Sequence, residues 1–451
     1  MRPRDPAAWI GWPWTLLVLF VILVLTLSPA GQDQVIPEDF LCLLCGEAGL
    51  ANLLRNVLLF VPLGIGLGFL IRSPVRAWLP TLLLTLTIEV TQIFIPGRNP
   101  LLVGVLANAG GGALGVAFVA ALRASVRPEG SGWGHRLWLL LPFPALVATA
   151  WAFQLAPPDP PHYLQIQPRL AHLAIYPGQV FRAEVGGERV QVGRVGDPDA
   201  LEDRLFRGDT VEVEVGIQPR AWGVASLVSV YTGERKEAFL LGVAADDVVL
   251  RLPFRAARLR LSAPDLRLTG ALDGLEEGSR ALIRYWAPAE GLAGAGGCLS
   301  LDGVGPGSAA RSHEACELRP TVGHGWSLLY FIAGFTPDAL EGTHRVWLLL
   351  LTVPVGLLLR RLRSAVALGA AAGLTAWAAP LVLGSLAWTP PGQVALLVGG
   401  VVGGHLARRA WLMIYPPPAR STVLVDRQAG DLPDRSAGGA TRCEHPTHPV
   451  P

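Results

Sequence analysis

The stretch Thr85-Leu86-Thr87-Ile88-Glu89-Val90-Thr91-Gln92-Ile93-Phe94-Ile95-Pro96-Gly97-Arg98 decides how the chain reads. It is apolar enough to enter a membrane, yet it holds a carboxylate, a carboxamide and, past a Pro-Gly turn, a guanidinium. An ionisable residue at the centre of a membrane helix costs roughly 2.5–3.5 kcal/mol on insertion scales. Thr85, Glu89 and Gln92 follow a helical spacing, so one face carries them. The apolar run before this stretch holds Asn56 and the run after it holds Asn108. Residues 56–115 therefore read as three closely spaced crossings that bring Asn56, Thr85, Glu89, Gln92, Arg98 and Asn108 into the outer half of the membrane. These six are the ligand-binding candidates. Arg98 pairs with Glu89 across the turn or holds a phosphate in bidentate fashion. The competing reading, favoured by Asn56 and Asn108 taken alone, is that such groups only hydrogen-bond helix to helix. The small residues Gly64, Gly66, Gly68, Gly110–Gly112 and Gly115 read as close helix packing.

Composition supports the membrane class. The chain has 451 residues, of which 51% are hydrophobic and 16% charged, with a mean hydropathy of +0.42. Soluble domains carry about 25% charged residues. A net charge of +2 without a basic stripe gives no reason to expect nucleic acid. Tryptophans at run ends, such as Trp9, Trp78 and Trp411, suit an interfacial belt.

Taken in order, the apolar runs are Trp9–Ser28, Leu53–Ile71, Ala77–Ile95, Leu101–Leu122 and Leu137–Leu155, then Val346–Leu359, Ala365–Leu386 and Gln393–Ala407. That makes about eight transmembrane helices. A cleaved signal peptide is the alternative for the first run. Arg72, Arg76, Arg123, Arg127, Arg360, Arg361, Arg408 and Arg409 mark cytoplasmic ends, so both termini fall inside. Residues 156–343 change character, with period-2 runs at Thr210–Val215, Ala225–Tyr231, Phe239–Val243, Val248–Leu252 and Ala257–Leu261. Short alternating strands imply an all-β sandwich, extracytoplasmic by helix parity. The division is thus 1–155 with five helices, 156–343 the sandwich, 344–415 with three helices, and 416–451 a disordered cytoplasmic tail.

Cys42-x-x-Cys45 lies in the first external loop and reads as a loop staple or an interfacial anchor, with redox exchange or half a zinc site as alternatives. Cys298 and Cys316 are both external and read as a disulfide. Asp246-Asp247 reads as a hairpin turn rather than a calcium site. No metal set, cofactor motif, Ser/His/Asp arrangement or phosphate loop emerges, and no catalytic residue is assigned.

The segments Asn56-Val57-Leu58-Leu59-Phe60-Val61-Pro62-Leu63-Gly64, Thr85–Gln92 and Gly97-Arg98 through Asn108 to Gly115 resemble the VanZ-like family over about residues 16–121. One departure stands out: Gly104 occupies the place where that family commonly has Asp, four residues before the Asn. The resemblance implies a bacterial inner-membrane protein, with some relatives linked to glycopeptide resistance and no agreed activity. The strands around residues 222–272 resemble a concanavalin A-like or laminin G-like jelly roll. They lack an E-x-D-x-E run, so binding is favoured over glycoside hydrolysis. The combined expectation is a non-enzymatic envelope protein whose partners are membrane lipids, a lipid-linked glycan, or extracytoplasmic carbohydrate or protein. A membrane enzyme with Glu89 as general base, or a structural scaffold, is the alternative.

Overall fold

The computed structural model describes residues 6–29, 49–98, 101–126, 133–156, 159–168, 173–207, 209–218, 223–232, 237–287, 297–304, 312–330, 337–382 and 386–414. Cys42, Cys45 and the tail lie outside the described residues.

The first apolar runs form α1 (Pro6–Leu27), α2 (Gly49–Leu70), α3 (Pro74–Gln92) and α4 (Leu102–Val126). Pro74 at the first helical position starts α3. Beyond its end the chain reverses through Gly97, at φ 75°, a left-handed conformation that favours glycine. α2 and α4 touch backbone to backbone. A Cβ on Gly111 would collide with the Val57 carbonyl, one on Gly115 with the Val61 carbonyl, and one on Gly64 with the Gly112 carbonyl. Gly64, Gly111 and Gly115 thus pack as their spacing implies, whereas a Cβ on Gly110 would meet nothing.

Past α4 the expected single span over Leu137–Leu155 is two pieces, α5 (Trp133–Leu140) and α6 (Pro142–Ala152). Pro142 has no N–H to continue the ladder, so the chain restarts there. The last helices are α9 (Pro337–Leu358), α10 (Leu362–Val382) and α11 (Pro391–Ile414). Glycines also join α9 to α11, with Gly356 against the Val401 carbonyl and Gly404 against the Val353 carbonyl.

The expectation of about eight spans is not matched by helix length and apolarity. Among the described residues three helices meet both, Gly49–Leu70, Leu102–Val126 and Leu362–Val382, with shorter apolar helices at Gly11–Leu27 and Arg136–Ala152. α3, α9 and α11 have the length, at 19, 22 and 24 residues. Their apolar content is diluted by Arg76 and Glu89, by Glu341 and Arg345, and by His405, Arg408 and Arg409 respectively.

Between α6 and α9 lie two six-stranded antiparallel sheets. The first runs β4 (Gly193–Arg194), β1 (His162–Ile166), β6 (Ala225–Thr232), β7 (Glu237–Ala244), β8 (Asp247–Arg251) and β9 (Leu266–Leu268). The second runs β12 (Ser312–Leu318), β11 (Gly297–Val304), β10 (Arg280–Trp286), β5 (Thr210–Gly216), β2 (Val180–Val185) and β3 (Glu188–Arg189). β5 shows why: Val211, Val213 and Val215 are fully buried while Glu212 and Glu214 meet Arg284 and Arg280 on the outer face. The core closes around Phe239, Tyr285 and Phe254, each such side chain worth about 1.5–3 kcal/mol of burial. α7 (Pro198–Arg207) lies against β5, and the Tyr285 hydroxyl donates to the Leu205 carbonyl at 3.2 Å.

The expected strand at Ala257–Leu261 is instead a short helix, α8 (Arg255–Arg258), and its turn. The Leu259 N–H reaches the Arg255 and Ala256 carbonyls at 3.1 and 3.0 Å, so local bonds win over sheet pairing. Residues 245 and 246 form the two-residue turn between β7 and β8. Cys298 and Cys316 are joined by a disulfide between β11 and β12.

The sandwich is bonded directly to the helices. The Ala51 N–H of α2 donates to the Arg260 carbonyl at 3.2 Å, and the Arg255 N–H donates to the Gln154 carbonyl at 2.7 Å. Arg255 lies over the Trp151 ring at 4.6 Å. The 3-10 turn Val322–Leu328 follows β12 and packs on α6 and α9.

Candidate functional site

The six candidates do not form one cluster. Thr85, Glu89 and Asn108 meet on the seam between α3 and α4, while Gln92 and Arg98 face α1. Asn108 is buried, at 3% exposure. Its Nδ2 donates to Thr85 Oγ1 at 2.9 Å. Its Oδ1 has no partner among the described residues, and neither does the buried Thr81 Oγ1 nearby on α3.

Glu89 Oε2 accepts the Leu101 N–H at 3.0 Å. Leu101 immediately precedes α4, so the carboxylate caps that helix from its neighbour. An anion there meets unpaired N–H groups and the positive end of the helix dipole. A Cβ on Gly104 would collide with Glu89 Oε1. Gly104 is where the family resemblance expects Asp, so the missing side chain is the space that Glu89 fills. Oε1 accepts no hydrogen bond from a described residue.

Gln92 Nε2 donates to the Thr26 carbonyl at 2.8 Å. Arg98 Nε donates to the Ser28 carbonyl at 2.8 Å and its Nη2 to the Leu25 carbonyl at 2.6 Å. Arg98 therefore caps the C-terminal end of α1, where carbonyls lack helical partners and the dipole favours a cation. The expected pairing with Glu89 is not formed; the ends of two helices took the two charges separately. Asn56 is half-buried on α2 and makes no hydrogen bond to a described residue.

Sequence reasoning passed over three features at the join of helices and sandwich. Arg55, beside Asn56, lies over the Tyr330 ring at 5.2 Å. His324 of the 3-10 turn and His344 of α9 lie against each other at a tilt of 46°, with ring centroids 4.2 Å apart. His324 Nδ1 accepts the Thr321 N–H at 3.0 Å. Burial, with His344 beside it, holds the His324 imidazole down to about 3, so the ring is neutral. The available signal was histidine beside tryptophan and glycine in an apolar segment, but nothing in the spacing joined 324 to 344.

Four helices with polar groups traded between their ends define a helical membrane domain. Residues 14–123, which span those helices, match the VanZ/LLP1 family. The chain thus carries a VanZ-like domain, followed by a two-sheet antiparallel β region and further helices. No curated protein and no solved structure matches the chain.

Proposed function

We propose that the chain is a multi-pass protein of the bacterial cytoplasmic membrane that binds the headgroup of a lipid or lipid-linked glycan at the α3–α4 seam, without catalysis. The observation that carries this reading is the buried Asn108 Oδ1, which has no donor among the described residues, on the seam that also holds the Glu89 carboxylate. A buried polar oxygen without a partner costs about 1–3 kcal/mol. A hydroxyl- or amine-bearing headgroup supplies the missing donor. Phosphate recognition by Arg98 fits less well, since two of its nitrogens are spent on α1. The same proposal takes in eight crossings, cytoplasmic termini, an extracytoplasmic sandwich of concanavalin A-like or laminin G-like kind that binds carbohydrate or protein, and an influence on glycopeptide susceptibility.

The second reading, a scaffold, draws on the inter-helix bonds of Gln92 and Arg98. Native mass spectrometry of the detergent-purified chain separates the two. A co-purifying lipid mass in wild type and Arg98→Ala that is lost in Glu89→Gln is the expected result. No bound mass in any of the three, with equal stability, overturns headgroup binding and leaves the scaffold.

A further inference from the structure

Arginines gather where the sandwich meets the helices. The segments that join there, residues 49–55, 151–156, 253–262 and 326–330, hold Arg55, Arg255, Arg258 and Arg260 and no carboxylate. Backbone bonds set the join. The Ala51 N–H reaches the Arg260 carbonyl, the Ser262 N–H the Leu328 carbonyl and the Ala156 N–H the Pro253 carbonyl, at 3.2, 2.9 and 2.7 Å. Ala51 and Arg55 are four apart and share one face of α2. Arg55 therefore lies one turn along from the place where the loop at Arg260 is seated. Two of the arginines are engaged within the protein. Arg255 donates to the Gln154 side chain and lies over Trp151, and Arg258 reaches the exposed Asp159 at 3.5 Å.

Arg55 is different. It is half-buried on a helix long and apolar enough to cross a membrane. Its guanidinium meets the Tyr330 ring at 5.2 Å, and among the described residues no oxygen accepts a hydrogen bond from it. The ring offsets part of the charge and leaves the N–H donors without an oxygen. A half-buried cation in that state favours an anion beside it. The apolar run Leu53–Ile71 begins two residues before Arg55, so the guanidinium stands at headgroup level when α2 spans a bilayer. An anion that belongs at that height carries acyl chains along the apolar helix and a phosphate at the arginine. The guanidinium fork matches a phosphate in bidentate fashion. Further arginines at the join favour a headgroup of net negative charge over a zwitterionic one, whose amine they repel.

We infer that Arg55, with Tyr330 against it and the exposed Arg260 one turn away, forms a site for the phosphate of an anionic phospholipid in the leaflet on the sandwich side. The inference uses none of the residues of the α3–α4 seam and does not rest on headgroup binding there.

The test titrates the full chain, purified in a neutral detergent, with phosphatidylglycerol, phosphatidylcholine and inorganic phosphate, and records bound mass and melting temperature. Saturable binding of phosphatidylglycerol is expected, about tenfold or more tighter than that of the other two and weakened about tenfold or more in Arg55→Gln. The variant is expected to melt close to wild type without lipid, and to lose the rise in melting temperature that bound lipid gives. Arg55→Lys keeps the charge without the fork and is expected to bind about threefold more weakly or worse. It decides the matter if Arg55→Gln fails to fold. Equal binding by wild type and both variants overturns the site. If Glu89→Gln abolishes that binding instead, the lipid sits at the α3–α4 seam and the reading of that seam stands. Phosphatidylcholine bound as tightly as phosphatidylglycerol overturns the anionic headgroup, and inorganic phosphate bound as tightly overturns the lipid. No binding of any of the three overturns the inference outright.

Discussion

Polar side chains find their partners differently in the two halves of this molecule. Among the helices they bond to backbone carbonyls of neighbours: Trp14 to Pro62, Trp78 to Ala109, Gln92 to Thr26, Arg123 to Phe69 and Arg360 to Ser125. In the first sheet of the sandwich, buried arginines bond to carboxylates instead. Arg251 is held by Asp265 at 2.6 Å and by Glu237 at 3.2 Å, and Arg267 by Asp247 at 3.1 Å. The difference follows from what each environment supplies. Thr26, Phe69 and Ser125 stand in the last turns of their helices, where carbonyls lack helical partners, and donating to them buries one charge rather than two. The sheets use up their own carbonyls, so a buried guanidinium there requires a carboxylate. Packing divides along the same line, with glycine-mediated backbone contact in the helices and large interlocked side chains in the sandwich.

The largest effect is expected where charges depend on each other. Arg251→Met leaves Asp265 and Glu237 without their shared cation and costs about 3–5 kcal/mol. Chemical unfolding followed by a probe in the sandwich measures it, and a loss near zero would erase the contrast with the helices. Burial opposes the charge on Arg251, yet Asp265 and Glu237 hold it above its ordinary value.

Gly111→Ala sharpens the packing side of the comparison. Its Cβ meets the backbone of α2, which cannot rotate away, so about 1–3 kcal/mol is lost. The same change at Gly110, where a Cβ meets nothing, is expected to leave the melting temperature unchanged.

Gly104→Asp introduces the residue expected from the family resemblance into space held by Glu89. Steric overlap and like charge destabilise it by roughly 1–3 kcal/mol. Glu89→Ala in the same chain recovers part of that, so a double-mutant cycle must be non-additive. Strict additivity would show that the two side chains do not share a site.

Arg98→Ala removes a cap that is exposed to solvent. It loosens α1 by about 1 kcal/mol, read as faster amide exchange at the end of that helix.

One effect depends on pH rather than on a lost contact. An unfolded histidine takes up its proton near about 6.5, but His324 in the folded chain does so only near about 3. The stability it contributes is therefore intact above the unfolded value and is lost as pH falls through that window. His324→Gln is expected to flatten the decline in melting temperature between neutral and acid pH. An identical slope in both proteins would show that the ring is not held neutral.

Helix existence was legible because apolar runs of membrane length admit few other structures, and β5 was legible because Thr210–Val215 alternates strictly. Interruptions were harder. Pro142 splits an apolar run that looks continuous. Ala257, Leu259 and Leu261 alternate like a strand, yet Arg255–Arg258 closes a helical turn. At the site, the nearness of α3 and α4 followed from the short turn that joins them, but Asn108 bonds Thr85 and not Glu89. The partners of Gln92 and Arg98 did not, because they are carbonyls of α1, and a carbonyl carries no sequence signature.

The sequence alone determined a membrane chain with an inserted β region, since those follow from apolar content and from side-chain period. It also determined which residues would need partners, since Glu89, Arg98 and Asn108 stand out against an apolar background. Only the tertiary structure decided who those partners are. Glu89 went to the start of α4, Arg98 to the end of α1, and His324 to His344. Helix ends, bared carbonyls and the space beside Gly104 come into being only when the helices pack.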